Sequence, residues 1–402
     1  QDRTAFMTVF PRTLTLLVLS VVCFGTACAD DVSTAGSGGA SGALGGGGVG
    51  GSGGIGEAPG LAPDELGVFS VGYTMFTPID ATRDNRPLPV SVWYPVDEAD
   101  AVTEPLTEYP LQSGFTLASE VAVDDLPAST AGPFPLLVFS HGFGGINTQS
   151  TKLMEALASH GFVVASVEHT GNTALDQSDP TPAENRVPDV SFVIDRMLER
   201  ADDDSDPLAD RIDASKIGVL GHSFGGSTAM GTVAGWAGAD PDPRVSVIGV
   251  IAGGVGTRSF GEEVLASVTA PTMLLVGTLD PNAMENHREA FAFMSNAEAL
   301  FKVEVTGANH THFANVCDIG NALIDIGIGK DAWAQLGASA LIQPYNDTCT
   351  EEVFPIAEAT RLQSLYMVAH FKRYLLGMTE YDAYLDAAYA EANEPVVSFE
   401  AN

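Results

Sequence analysis

Positive charge is scarce in this chain. Its 402 residues hold 18 Lys and Arg against 52 Asp and Glu, a formal net charge of −34. Binding nucleic acid requires Lys and Arg that displace the counterions on phosphates, so nucleic acid is not expected as a partner. The same deficit opposes docking on anionic lipid surfaces. Yet only 17% of residues are charged and 45% are hydrophobic, so the chain is not an acidic disordered tract. Long apolar runs are also missing. The run LTLLVLSVVCFG (14–25) falls short of the roughly 20 residues a membrane-crossing helix needs.

That run instead reads as the apolar centre of a signal peptide. Residues 1–6 read as translated upstream sequence, Met7 as the start, and Arg12 as the basic flank. The small residues Gly25-Thr26-Ala27-Cys28 resemble a lipoprotein processing box, which makes Cys28 a lipidation candidate and a possible membrane tether, with plain secretion as the alternative. A Gly- and Ser-rich stretch within 29–66 (GSGGASGALGGGGVGGSGG) cannot bury enough apolar surface to offset chain entropy, so it is expected to be a flexible linker. One packed domain, 67–402, is expected after it. Of the four cysteines, Cys23 and Cys28 belong to the leader. Cys317 and Cys349 remain, and in an exported protein such a pair predicts a disulfide.

From residue 67 the pattern is that of an α/β domain. Residues 67–76 and 88–94 alternate like antiparallel strands with one solvated face. Short continuous apolar runs at 134–140 and 162–167 predict strands buried on both faces. Further strands are expected at 217–220, 245–251, 272–276 and 301–305. Helices are expected at 151–160, 189–199, 223–236, 285–294 and 356–376. Such alternation implies a mostly parallel, doubly wound sheet. Residues 171–188 and 201–212 read as polar surface loops, and 319–348 as a lid-like insertion between the paired cysteines.

The strongest chemical signal is Gly221-His222-Ser223-Phe224-Gly225-Gly226. It follows a strand and precedes a helix, the context that a G-x-S-x-G nucleophile elbow requires. A serine at so sharp a turn needs tiny neighbours at 221 and 225. Its hydroxyl also needs a base oriented by a carboxylate, and behind such elbows acid and then histidine follow in chain order. Asp280, between the strand at 272–276 and Pro281, is the candidate acid, with Glu285 and Asp318 as alternatives. In Gly307-Ala308-Asn309-His310-Thr311-His312-Phe313 either His310 or His312 could be the base, and periodicity does not separate them. No further cluster of Cys, His or carboxylates has ligand spacing, so no metal is expected. His160, His169, His287 and His370 read as structural. The loop Ser140-His141-Gly142-Phe143-Gly144-Gly145 lacks the Lys and Ser/Thr of a P-loop and the acidic ribose partner of a dinucleotide site. It suits an oxyanion loop, with the Phe143 N–H beside that of Phe224.

These segments carry a resemblance. VSVWYP (90–95), FSHGFGG (139–145), VEHTGN (167–172), GHSFGG (221–226) and GANHTHF (307–313) are similar to the α/β-hydrolase superfamily. Within it they most resemble the platelet-activating-factor acetylhydrolases and related dienelactone-hydrolase-like secreted esterases. The resemblance covers residues 67–317 and the C-terminal helix. It implies an α/β-hydrolase fold with antiparallel N-terminal strands, and a serine carboxylic-ester hydrolase acting without cofactor through an acyl-enzyme. It selects His310 as the base, through Gly-x-x-His, and Phe143 and Phe224 as oxyanion donors. Short-acyl or acetylhydrolase-like lipid esters are the implied substrates. Cutinase-type polyester hydrolases share the plan but usually carry Met after the serine, where this chain has Phe224. A catalytically inactive surface binding protein is the rival from another class, and it would be expected to lack a member of the Ser, His and Asp set.

Overall fold

The computed structural model describes residues 62–97, 105–111, 114–336 and 338–402. The predicted leader, the lipidation candidate Cys28 and the Gly-rich tract up to residue 61 lie outside the described residues. Residues 62–66, the end of the stretch read as linker, make defined contacts. The Asp64 carboxylate pairs with Arg361 at 2.8 Å, and the Glu65 carbonyl accepts a bond from His160 Nε2 at 2.9 Å.

An eleven-stranded sheet organises the described residues. Its strands are β1 (Ser70–Phe76), β2 (Val90–Val96), β3 (Leu106–Pro110), β4 (Thr116–Asp124), β5 (Phe134–Ser140), β6 (Val163–Val167), β7 (Ile212–His222), β8 (Val245–Ile251), β9 (Thr272–Gly277), β10 (Leu300–Val305) and β11 (Val397–Ala401). Across the sheet they run β11-β10-β9-β8-β7-β5-β6-β2-β1-β4-β3. The six strands from β10 to β6 are parallel. β2 joins antiparallel to both β6 and β1, and β11 is antiparallel to β10. The order doubles back at β5, as right-handed crossovers on both faces require.

The continuous apolar run of β5 is explained by its two covered faces. Leu137 and Phe139 enter one core with Leu153 and Leu157 of helix α1 (Thr151–Ser159) and Leu365 of a C-terminal helix. Leu136 and Val138 enter the other core with Val190 of α2 (Pro182–Ala201) and Ala229 of α3 (Phe224–Ala234). The later helices used below are α4 (Pro281–Phe293), α5 (Val316–Asp325), α6 (Ser339–Thr348) and α7 (Ile356–Leu376).

Three expectations need correction. β2 has no solvated face: every residue in it is buried, because Trp93 enters the core beside α1 while Val90, Val92, Tyr94 and Val96 enter the core beside α2. The stretch 171–188 is not all loop, since α2 begins at Pro182 and runs through Pro188. A Thr-Pro-x-x start with Glu184 in the first turn is a helix-start pattern, and the internal proline masked it. Finally, β3, β4 and β11 were not anticipated. All are short or half-polar strands at the sheet's margins.

The Cys317–Cys349 disulfide forms, with an S–S distance of 2.05 Å. It ties the start of α5 to the end of α6. Between them the 319–348 insertion is largely helical and buries Trp333 edge-on to Tyr345 at 5.1 Å.

Candidate active site

Ser223 caps α3 at the end of β7 with φ 58° and ψ −120°, a left-handed conformation that costs a non-glycine residue free energy. The turn is so tight that its flanking positions admit no side chain. A Cβ on Gly221 would sit 2.2 Å from the Gly225 carbonyl oxygen, and one on Gly225 would sit 1.8 Å from that of Ser140. The glycines of the motif therefore answer to steric necessity. The strain is held by the Ser223 N–H, which donates to the Ile251 carbonyl at 2.8 Å.

Three distant segments meet at this corner. His310 Nε2 lies 2.8 Å from Ser223 Oγ, and His310 Nδ1 lies 2.5 Å from Asp280 Oδ2. Asp280 reaches this position because Gly277 ends β9 and Pro281 opens α4. Its other oxygen accepts the Ala283 N–H at 3.2 Å, capping that helix. Burial pushes the Asp280 pKa up. The His310 hydrogen bond and charge and the Ala283 N–H outweigh it, so the net shift is downward and the carboxylate stays ionised.

The two candidate histidines have different partners. His312 accepts the Asn309 N–H on Nδ1 at 3.0 Å and donates from Nε2 to the Phe354 carbonyl at 2.9 Å. Both of its ring nitrogens brace the turn that presents His310, and it is His310 that faces Ser223. The alternative acid Asp318 pairs with Lys152 at 2.9 Å, and Glu285 lies within α4 beyond Asp280.

On the other side of Ser223 lies the 140–145 loop. Phe224 supplies the first N–H of α3, and the Phe143 and Phe224 rings meet edge-on at 5.9 Å. Gln149 and His222 were not singled out from sequence, although both support this corner. Gln149 Oε1 accepts the Gly142 N–H at 3.0 Å, and its Nε2 donates to His222 Nδ1 at 2.9 Å. His222 Nε2 in turn donates to the His310 carbonyl at 2.8 Å. Burial lowers the His222 pKa to about 3, with the neighbouring His310 acting in the same direction, so it serves this chain as a neutral imidazole. Loop, elbow and histidine turn are thereby linked. The pairing of residues 73 positions apart had no local signal in the sequence.

The serine opens onto an apolar cavity of about 300 Å³. Phe143 and Leu175 line one side, while Ile319, Leu323 and Leu341 of the disulfide-closed insertion line another. Among the described residues no group of His, Cys, Asp or Glu is arranged to hold a metal ion.

A mostly parallel sheet with a strained serine elbow, a histidine and an aspartate at the carboxyl ends of its strands is the arrangement of the α/β-hydrolase fold. Residues 115–332 match the family model described as PETase, PET hydrolase-like. The chain belongs to the PET hydrolase-like family. It is 31% identical over 179 residues to cutinase est1 of Thermobifida alba, a match covering 44% of this chain and 53% of that protein. It is 30% identical over 145 residues to the platelet-activating factor acetylhydrolase of Canis lupus familiaris, covering 26% and 33% respectively. The chain thus spans about half the length of the first relative and a third of the second. Among solved structures, a ferulic acid esterase from Streptomyces cinnamoneus superposes with a TM-score of 0.61 at 25% identity, covering 82% of this chain and 96% of that one.

Proposed function

We propose that the chain is a serine carboxylic-ester hydrolase that works through an acyl-enzyme. The observation carrying this reading is the continuous hydrogen-bonded line Ser223 Oγ, His310 Nε2, His310 Nδ1, Asp280 Oδ2. Asp280 accepts a hydrogen bond from the His310 Nδ1–H, so Nε2 carries the lone pair facing the serine. His310 takes the hydroxyl proton as Oγ attacks the ester carbonyl, and the carbonyl oxygen becomes an oxyanion held by the Phe143 and Phe224 N–H groups. The C–O bond to the alcohol breaks, and His310 returns its proton to the leaving oxygen. Water, deprotonated by His310, attacks the acyl-enzyme in the same way and releases the acid with Ser223 restored. The complete set of nucleophile, base and acid weighs against the inactive binding-protein reading.

The cavity favours esters with a compact apolar acyl group, because its walls are mostly aliphatic and aromatic and the insertion closes one side. The family model and the cutinase likeness favour a second reading, hydrolysis of aliphatic or aromatic polyesters. Export is part of the proposal and is supported by the Cys317–Cys349 bridge. Lipid anchoring at Cys28 remains a proposal from sequence alone. A panel of p-nitrophenyl esters of rising acyl length, matched amides and polyester films tests the substrate class. Esters are expected to turn over and amides not, with rates peaking at short acyl chains. Film hydrolysis outpacing every soluble ester would favour the polyester reading. Turnover of none of them would remove the ester-hydrolase reading.

A further inference from the structure

Arg186 is a fully buried cation, set on α2 directly behind the 140–145 loop. Among the described residues its guanidinium makes no hydrogen bond to a carboxylate. Nη1 donates to Ser140 Oγ at 3.2 Å and to the His141 carbonyl, and Nη2 donates to the Gly142 carbonyl at 3.0 Å and to Asn172 Oδ1. The carboxylate one turn along, Asp189, is already engaged by Arg83, Arg86 and His169. Burial pulls the Arg186 pKa down to about 9, which leaves it protonated at neutral pH. Burying a cation whose hydrogen bonds all go to neutral oxygens is costly even with the Asp189 and Asp179 charges nearby, and a neutral donor could bridge the same carbonyls.

The geometry of one peptide unit gives the reason. The Gly142–Phe143 peptide is planar and trans, so its C=O and N–H point in opposite directions. The Gly142 oxygen accepts from Arg186 Nη2, from His141 Nδ1 at 2.7 Å and from the Gly145 N–H at 3.1 Å. His141 is held in that tautomer because its Nε2 accepts the His169 N–H at 3.1 Å. Fixing the oxygen on the arginine side turns the Phe143 N–H to the opposite side, where Gly142, Phe143 and Ser223 line the cavity. The guanidinium carbon also lies 4.8 Å from the centre of the Phe224 ring, so the positive charge touches the loop and the elbow residue that are expected to form the oxyanion hole.

We propose that Arg186 is a positioning residue for the oxyanion hole, aligning the Gly142–Phe143 peptide and projecting positive potential toward the developing oxyanion. This rests on the reading of Ser223 as nucleophile. Pre-aligned donors act on the transition state more than on the bound ester. Loss of the alignment should therefore lower kcat and leave KM nearly unchanged.

The test uses the full chain as wild type, Arg186→Lys and Arg186→Met. Active sites are counted by fluorophosphonate labelling, kcat and KM are measured on p-nitrophenyl butyrate, and inhibition is measured with a boronic acid whose tetrahedral adduct places an oxygen in the hole. Arg186→Met is expected to lose about 10²–10³ in kcat per labelled site, the usual effect of losing one oxyanion donor. Its boronic-acid affinity should weaken in parallel. Arg186→Lys, which keeps the charge but not the fork, should fall between. A folded Arg186→Met with kcat near wild type, or a loss confined to KM, overturns the proposal. If Arg186→Met does not fold, the same criterion is applied to Arg186→Lys. Ester turnover that survives Ser223→Ala would instead remove the nucleophile reading and leave the arginine geometry as it stands.

Discussion

Asp280→Asn is expected to lower kcat by about 10⁴-fold, the scale seen when a triad carboxylate is replaced by its amide. The carboxylate can only accept, so it holds the proton on His310 Nδ1 and leaves Nε2 bare toward Ser223. An asparagine can turn its NH₂ toward Nδ1. The imidazole would then carry its proton on Nε2, facing the serine, and could not act as a base. The fold should survive, because asparagine also caps helices well and the Ala283 N–H still finds an oxygen. Thermal unfolding and KM should therefore shift little while kcat collapses. A folded variant within about tenfold of wild type would remove Asp280 from the proposed mechanism and reopen the choice of acid.

A second large effect is expected on stability. Burial holds the pKa of His160 and His287 down to about 4 and that of His222 and His370 to about 3. His287 is the clearest case, since its Nε2 accepts the Gly253 N–H at 3.0 Å and protonation would set two donors against each other. All four values lie below the unfolded one near 6.5. Above that pH both states are neutral and no stability is lost. As pH falls below about 6.5, the unfolded chain binds protons that the native one refuses, so unfolding is favoured. Each group can approach about 1.4 kcal/mol per pH unit in this window. Four together by pH 4.5 reach the order of a domain's whole margin of about 5–15 kcal/mol. Glu155 opposes them, because burial raises its pKa despite bonds from Ser119 and Tyr109, and it gains as pH falls. One carboxyl does not balance four imidazoles. Differential scanning should show the unfolding temperature falling by about 10 °C or more between pH 7.5 and pH 5. A flat profile would mean that these histidines are protonated in the native state.

The parts of this molecule that were legible in the sequence are those whose physical cause is local. The elbow is written in Gly221 and Gly225 because each would place a Cβ inside a neighbouring carbonyl. The buried strands are written as unbroken apolar runs because helices cover both faces. Asp280 stands out because Pro281 starts a helix just after a strand. What stayed hidden depends on partners far apart in the chain. Arg186 sits in a polar stretch that reads as loop, and only its contacts 44–46 residues back, at Ser140, His141 and Gly142, give it a place in the site. His222 looks like filler within G-x-S-x-G until its bonds to Gln149 and the His310 carbonyl are seen. The different surroundings of His310 and His312 also needed coordinates, because two histidines two positions apart in one turn have the same sequence context. The marginal strands β3 and β4 were missed because charged and polar residues alternate through them, and such a pattern reads as easily as loop.

The proposed mechanism depends first on Ser223 Oγ becoming covalently acylated. The direct measurement is the mass of the full chain quenched in acid during turnover of a p-nitrophenyl ester, with peptide mapping of wild type and Ser223→Ala. One added acyl group is expected on the peptide containing 221–226 in the wild type, and neither adduct nor turnover in Ser223→Ala. Steady ester turnover by Ser223→Ala, or an acyl group mapped to another side chain, would contradict it.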